Sequence, residues 1–199
     1  PDKYDLPEFK PANQLPLPIE APFINNFTVH VFNTLYYHKQ MYKKEFSIID
    51  YNPFFYPLDA VLNWNRAYGK DGFIQYQFVV PFDDGEKAIK SVLKKTSQSG
   101  MSSFLTVLKT FGDIESPGML SFPHPGITLA IDFRYQGEKT LSKLNELDEI
   151  VREHKGRIYP AKDSRMSAAD FQRFYPQWEE FTQFIDPKFS SSFWRRVTK

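Results

Sequence analysis

The order of elements between residues 72 and 159 constrains this chain more than any other feature of its sequence. Residues 72–80 alternate as a strand, and residues 83–97 carry Ile89, Val92 and Leu93 on one helical stripe. Residues 103–111 and 127–135 read as a second and a third strand. Residues 138–155 form a longer helix with Leu141, Leu144, Leu147, Ile150 and Val151 on one side and Gly156 just past its end, and residues 157–159 form a fourth strand. The order β-α-β-β-α-β is the split βαβ, or ferredoxin-like, arrangement. It predicts an α+β domain with an antiparallel sheet and both helices on one face.

Other elements flank this core. Pro1, Pro7, Pro11, Pro16, Pro18 and Pro22 forbid continuous helix or central strand, so residues 1–24 read as an extended strap or linker ahead of one domain over 25–199. Asn25 or Asn26 can cap a helix that runs to about Gln40, with Phe27, Val31, Leu35 and Tyr36 at helical spacing. Residues 46–49 read as a short strand, residues 52–57 as an aromatic turn between Pro53 and Pro57, and residues 58–68 as a short helix ended by Gly69. Two short helices, 167–174 and 177–184, are separated by Pro176, and no element is assigned beyond Pro187.

Several chemistries lose their markers. With no cysteine among 199 residues, a disulfide scaffold, a Cys zinc site, an iron–sulfur cluster and a thiol nucleophile are excluded. Lys and Arg number 25 against 24 Asp and Glu, too balanced for phosphate-dominated nucleic-acid binding, so no nucleic-acid partner is expected. There is no Gly-rich phosphate loop, no Gly-x-Ser-x-Gly elbow and no His-Glu-x-x-His, and His30, His38, His124 and His154 are too scattered to suggest a metal site. No apolar run reaches the roughly 18–20 residues needed to span a bilayer. Twenty Phe and 11 Tyr leave two uses open, a Phe-rich core or a stacking surface for a flat-ring or lipid-like ligand.

Strand alternation divides the sheet into two faces. Ile74, Tyr76, Phe78 and Val80, with Ile127, Leu129, Ile131 and Phe133, form the apolar sets expected under the helices. Phe73, Gln75, Gln77 and Val79, with Thr128, Ala130 and Asp132, then point to the open face, joined by Leu105, Val107, Lys109 and Phe111. Amides, a carboxylate, an ammonium and an apolar floor converge there. Two readings stay open: a solvated face with a Lys109–Asp132 cross-strand pair, or a face covered by a ligand or partner. Residues 112–126, with three prolines and three glycines, are long for a hairpin connection and read either as a lid at one end of that face or as a loop without a role.

Five segments carry a family resemblance when taken in order. They are Asn63-Trp64-Asn65-Arg66-Ala67-Tyr68-Gly69, Gly72-Phe73-Ile74-Gln75-Tyr76-Gln77-Phe78-Val79-Val80-Pro81, Phe104-Leu105-Thr106-Val107-Leu108-Lys109-Thr110-Phe111-Gly112, Leu120-Ser121-Phe122-Pro123 and Tyr159-Pro160-Ala161-Lys162-Asp163-Ser164-Arg165. From about residue 25 to the C-terminus the chain resembles the substrate-binding domain of FAD-linked oxidases of the vanillyl-alcohol-oxidase type. It is most similar to the branch that acts on a prenyl-phosphoryl ribose in cell-wall biosynthesis.

The resemblance implies an upstream domain, outside this sequence, that binds most of the FAD, so this chain alone is expected to be inactive. The implied reaction is oxidation of a sugar hydroxyl to a ketone with hydride transfer to flavin; a short-chain reductase partner would complete an epimerisation to arabinose. It also implies a bacterial protein at or near the cytoplasmic membrane. An aldonolactone or other sugar oxidase would keep the same scaffold, and a free-standing ligand-binding ferredoxin-like domain is the rival from another class.

By position, Lys162 matches the family's catalytic lysine, Gln75 and Gln77 match strand amides near it, and Val107, Lys109 and Phe111 match pocket-lining residues. Ala130 stands where some members have a cysteine, and Phe55 or Tyr56 falls near a pocket tyrosine. Asp132 and Trp64 complete the substrate- or flavin-facing set. Taken alone, Lys162 reads as a surface lysine paired with Asp163.

Overall fold

The structure is a computed structural model that describes residues 15–16, 24–40, 42, 44, 46–101, 103, 105–162 and 165–199. Short elements come first. β1 (Leu15–Pro16) pairs in parallel with β2 (Val61–Leu62), and of the rest of residues 1–24 only Ile24 is among the described residues. Helix α1 (Asn26–Lys39) starts from Asn25, whose side chain accepts from the backbone N–H of Phe27 and Thr28 while Thr28 Oγ1 accepts from the Asn25 N–H, a reciprocal cap. Helix α2 (Tyr51–Phe55) has a simpler cap, the Asp50 carboxylate accepting from the Asn52 backbone N–H at 2.9 Å.

The βαββαβ unit follows as expected. β3 (Phe73–Val80) leads into α3 (Phe82–Gln98), then β4 (Thr106–Phe111) and β5 (Gly126–Arg134), then α4 (Glu138–Glu153) and β6 (Arg157–Ile158). The sheet order is β4-β5-β3-β6 with every neighbouring pair antiparallel, which is the ferredoxin-like topology. Tyr76, Phe78 and Val80 of β3 and Leu129, Ile131 and Phe133 of β5 pack with Ala88, Ile89 and Val92 of α3 and Leu144, Leu147 and Val151 of α4, so the core lies on the face that alternation assigned. Gly126 is required where β5 starts, because a Cβ there would sit 2.1 Å from the Val80 carbonyl oxygen.

Helix α5 (Ala168–Phe174), capped by Ser167, adds Phe171 and Phe174 to this core, and the Tyr175 hydroxyl beyond it donates to the Ile158 carbonyl at 2.7 Å. Helix α6 (Trp178–Phe181) runs on into a 3-10 turn, Thr182–Phe184. Among the described residues no helix is long and apolar enough to cross a membrane.

Several expectations need correction. Residues 46–49 form no strand: they have no strand partner among the described residues, and without one their backbone has no ladder to join. The helix expected over 58–68 breaks into 3-10 turns Pro57–Ala60 and Trp64–Tyr68 around β2, because Asn63 adopts a left-handed φ of 57° that no helix continues through. Four of residues 52–57, expected as a turn, sit in α2. The tail beyond Pro187 holds a helix, α7 (Ser192–Val197), which buries Val197. Gly156 does not supply the left-handed end of α4; Lys155 does, at φ 54°, and Gly156 instead lets the chain pass the Val79 carbonyl oxygen, 2.6 Å from where a Cβ would be.

Candidate functional site

Strand register places the polar side chains of the second face side by side. Gln75 pairs with Asp132, Gln77 with Ala130 and Val79 with Thr128, while Val107 and Lys109 on β4 pair with Ala130 and Thr128. Paired residues share a face, so these side chains lie opposite α3 and α4. The cross-strand Lys109–Asp132 pair of the solvated reading does not form, because Lys109 faces Thr128 and Asp132 is engaged by Gln75.

Each end of this face is closed by aromatic rings from the chain itself. At one end the Tyr68 ring stacks on Phe73 with centroids 4.5 Å apart, and Trp64 packs on both. The Tyr68 carbonyl accepts from Arg134 Nε at 3.1 Å, which ties this turn to the end of β5. At the other end Phe122 stacks on Tyr159 at 4.5 Å and meets Phe111 edge-on at 5.8 Å. Phe122 comes from the long β4–β5 connection. Its ring is buried, and Arg157 Nη1 holds the neighbouring Ser121 carbonyl at 3.2 Å, so this end of the loop is built into the site.

Between the aromatic ends lies a polar strip. Asp132 has no exposed surface; it accepts from Gln75 Nε2 at 2.7 Å and from the Tyr68 hydroxyl at 3.5 Å. Burial pushes its carboxyl above the usual range, against the opposing pull of Gln75, of the Lys162 charge and of Tyr68. The Tyr68 phenol is raised too, first by burial and then by the Asp132 charge. Gln77, also buried, donates to Thr128 Oγ1 at 3.2 Å. The small Ala130 lies between Gln77 and Val107 and leaves a low floor in the middle.

Lys162 stands at the rim of this strip. β6 pairs with β3 only at Phe78 and Val79, so the remainder of that edge is crossed by the 3-10 turn Pro160–Lys162. The turn is fixed by the Tyr159 N–H donating to the Gln77 carbonyl at 2.8 Å. Lys162 is half-buried beside a cleft that Gln75 and Gln77 also line, with no ion pair within 4.0 Å among the described residues. Burial lowers its ammonium pKa, Asp132 opposes that shift, and the Lys109 charge adds to it. Asp163, its partner in the surface reading, lies outside the described residues.

The structure therefore gathers Lys162, Gln75, Gln77, Asp132, Ala130, Val107, Lys109 and Phe111 on one face. Phe55 and Tyr56 are not tied into that cluster: they are 66% and 56% exposed, and the Phe55 ring meets Phe54. Trp64 acts through its packing on Tyr68 and Phe73. Sequence reasoning missed Tyr68, Phe122 and Tyr159 as walls of the site. All three lie in the quoted segments, but only tertiary folding brings them onto the sheet.

No family model matches the chain. Over 205 aligned residues, 99% of its length, it is 38% identical to decaprenylphosphoryl-beta-D-ribose oxidase of Mycolicibacterium smegmatis. The chain is similar to part of that oxidase. It is also 30% identical, over 69% of its length, to an uncharacterized protein in the mprA 5' region of Streptomyces coelicolor. It spans about two fifths of the length of these relatives, covering 42% of the first and 38% of the second.

Proposed function

We propose that this chain is the substrate-binding half of an FAD-dependent oxidoreductase of the vanillyl-alcohol-oxidase type, one that oxidises a hydroxyl of a polyprenyl-phosphoryl ribose to a ketone. The observation that carries the reading is the 38% identity to a decaprenylphosphoryl-beta-D-ribose oxidase along nearly the whole chain.

The residues of the second face fit a flavin. A floor of Val107 and Ala130, walled by aromatic rings at both ends, suits a flat ring, and a half-buried ammonium beside strand amides suits its electron-rich edge. When bound, FAD would supply the acceptor for the hydride that leaves the sugar carbon, while the hydroxyl proton would pass to solvent water as the ketone forms. Lys162 is the catalytic residue of this reading. As a cation in a partly dry site it stabilises negative charge that develops as the carbon–hydrogen bond breaks. Gln75 is committed to Asp132 and holds that carboxylate in place, and Gln77 shapes the cleft next to Lys162. A reductase that returned hydride to the other face of the ketone would complete an epimerisation to arabinose.

The test is Lys162→Ala in the full-length gene product loaded with FAD. Anaerobic flavin reduction by the prenyl-phosphoryl ribose should slow by roughly 100-fold or more while flavin content is retained. Reduction at the wild-type rate would refute the assignment.

A further inference from the structure

The helix-covered side of the sheet holds a buried carboxylate that the proposed reaction does not use. Asp148 on α4 is 3% exposed; the Tyr76 hydroxyl donates to its Oδ1 at 2.9 Å and Arg165 Nη1 donates to its Oδ2 at 2.8 Å. The same Nη1 reaches Asn145 Oδ1 at 2.7 Å. Burial pushes the Asp148 carboxyl up, and Arg165 is the strongest influence in the other direction. A carboxylate this deep needs its partners, since leaving it uncompensated is strongly destabilising.

Arg165 lies three residues beyond Lys162. Lys162, Arg165 and Asp148 line one cleft together with Gln75 and Gln77, beside the stretch of β3 that β6 leaves unpaired. Before Lys162 the chain is held by the Tyr159–Gln77 hydrogen bond, and after it by the Arg165–Asp148 ion pair and by Met166 in the core. Lys162 has no ion pair within 4.0 Å among the described residues, so its ammonium takes its place from these anchors on either side of it.

We infer that Asp148 is a positioning residue for Lys162, acting through Arg165. The inference rests on the role proposed for Lys162.

The experiment uses the full-length, FAD-loaded gene product without substrate and reads acylation of Lys162 by a small amine reagent, peptide by peptide, across pH. Lys162 is faced by Asp132 from β5 and Lys109 from β4, so its labelling midpoint reports its place between them. Asp148→Asn and Arg165→Met should each move that midpoint by about half a pH unit, roughly a threefold change in rate at fixed pH, while exposed Lys90 on α3 labels as before. Arg165→Lys should return part of the shift. Turnover should fall about tenfold with KM nearly unchanged, as expected for a misplaced catalytic group. A lowered melting temperature with an unmoved Lys162 profile in both variants would overturn the inference and leave Asp148 a purely structural residue. If Lys162→Ala instead leaves flavin reduction intact, the proposed function fails while the labelling result still judges the clamp.

Discussion

Replacing Asp132 with Asn should stabilise the folded chain at neutral pH. The carboxyl has no exposed surface, and burial raises its pKa despite the Gln75 amide, the Lys162 charge and the Tyr68 hydroxyl. The folded state therefore holds this proton to higher pH than the unfolded state, where the carboxyl titrates near about 3.9. Its contribution to stability is fully present below that value and is lost as pH rises through the raised folded pKa, so the ionised group is a liability at neutral pH. Asn has the same shape, keeps an oxygen for Gln75 Nε2 and offers an N–H to the Tyr68 hydroxyl. Removing the ionisation cost should contribute about 1 kcal/mol, the usual scale when a residue kept for function is replaced by one chosen for stability. For a chain of this size that is roughly 2–4 °C in melting temperature. The assay is thermal unfolding of wild type and Asp132→Asn from pH 4 to pH 7.5 by circular dichroism. The gap should be near zero at pH 4 and open in favour of the variant as pH rises. A variant that melts below wild type at pH 7.5, or a gap that does not depend on pH, would refute the reasoning.

Other substitutions probe the frame around the site. Gly126→Ala would place a Cβ 2.1 Å from the Val80 carbonyl oxygen, backbone that cannot swing aside, so a loss of about 2–3 kcal/mol is expected in urea unfolding. Phe122→Ala removes a buried ring stacked on Tyr159 and should cost about 3–4 kcal/mol, with increased proteolysis in the 112–126 connection as a second readout. Tyr175→Phe leaves the buried Ile158 carbonyl without its 2.7 Å donor and should cost about 1–2 kcal/mol by the same unfolding measurement.

The core was legible because its signals are local. Alternation in β3 and β5 and the stripes of α3 and α4 each point to one face, and the register carries Gln75, Gln77, Ala130 and Asp132 to the other. Where the signal was weak, the reading failed for identifiable reasons. Residues 46–49 have strand-forming side chains but no strand to pair with among the described residues, and residues 58–68 have helical composition broken at a left-handed Asn63. The site was half legible. Lys162 and the pocket-lining residues came from ordered family segments, whereas the aromatic walls made by Tyr68, Phe122 and Tyr159 depend on contacts between residues far apart in the chain. Nothing in the local pattern marks Asp148 and Arg165 as partners either, since they lie 17 residues apart and meet only in the folded chain.

The most direct test of the central claim is the visible absorbance of the full-length gene product, recorded anaerobically before and after addition of a polyprenyl-phosphoryl ribose. The account predicts a flavin band that bleaches on addition, and bleaching that is lost in Lys162→Ala. A protein that binds no flavin even after reconstitution with FAD would contradict it.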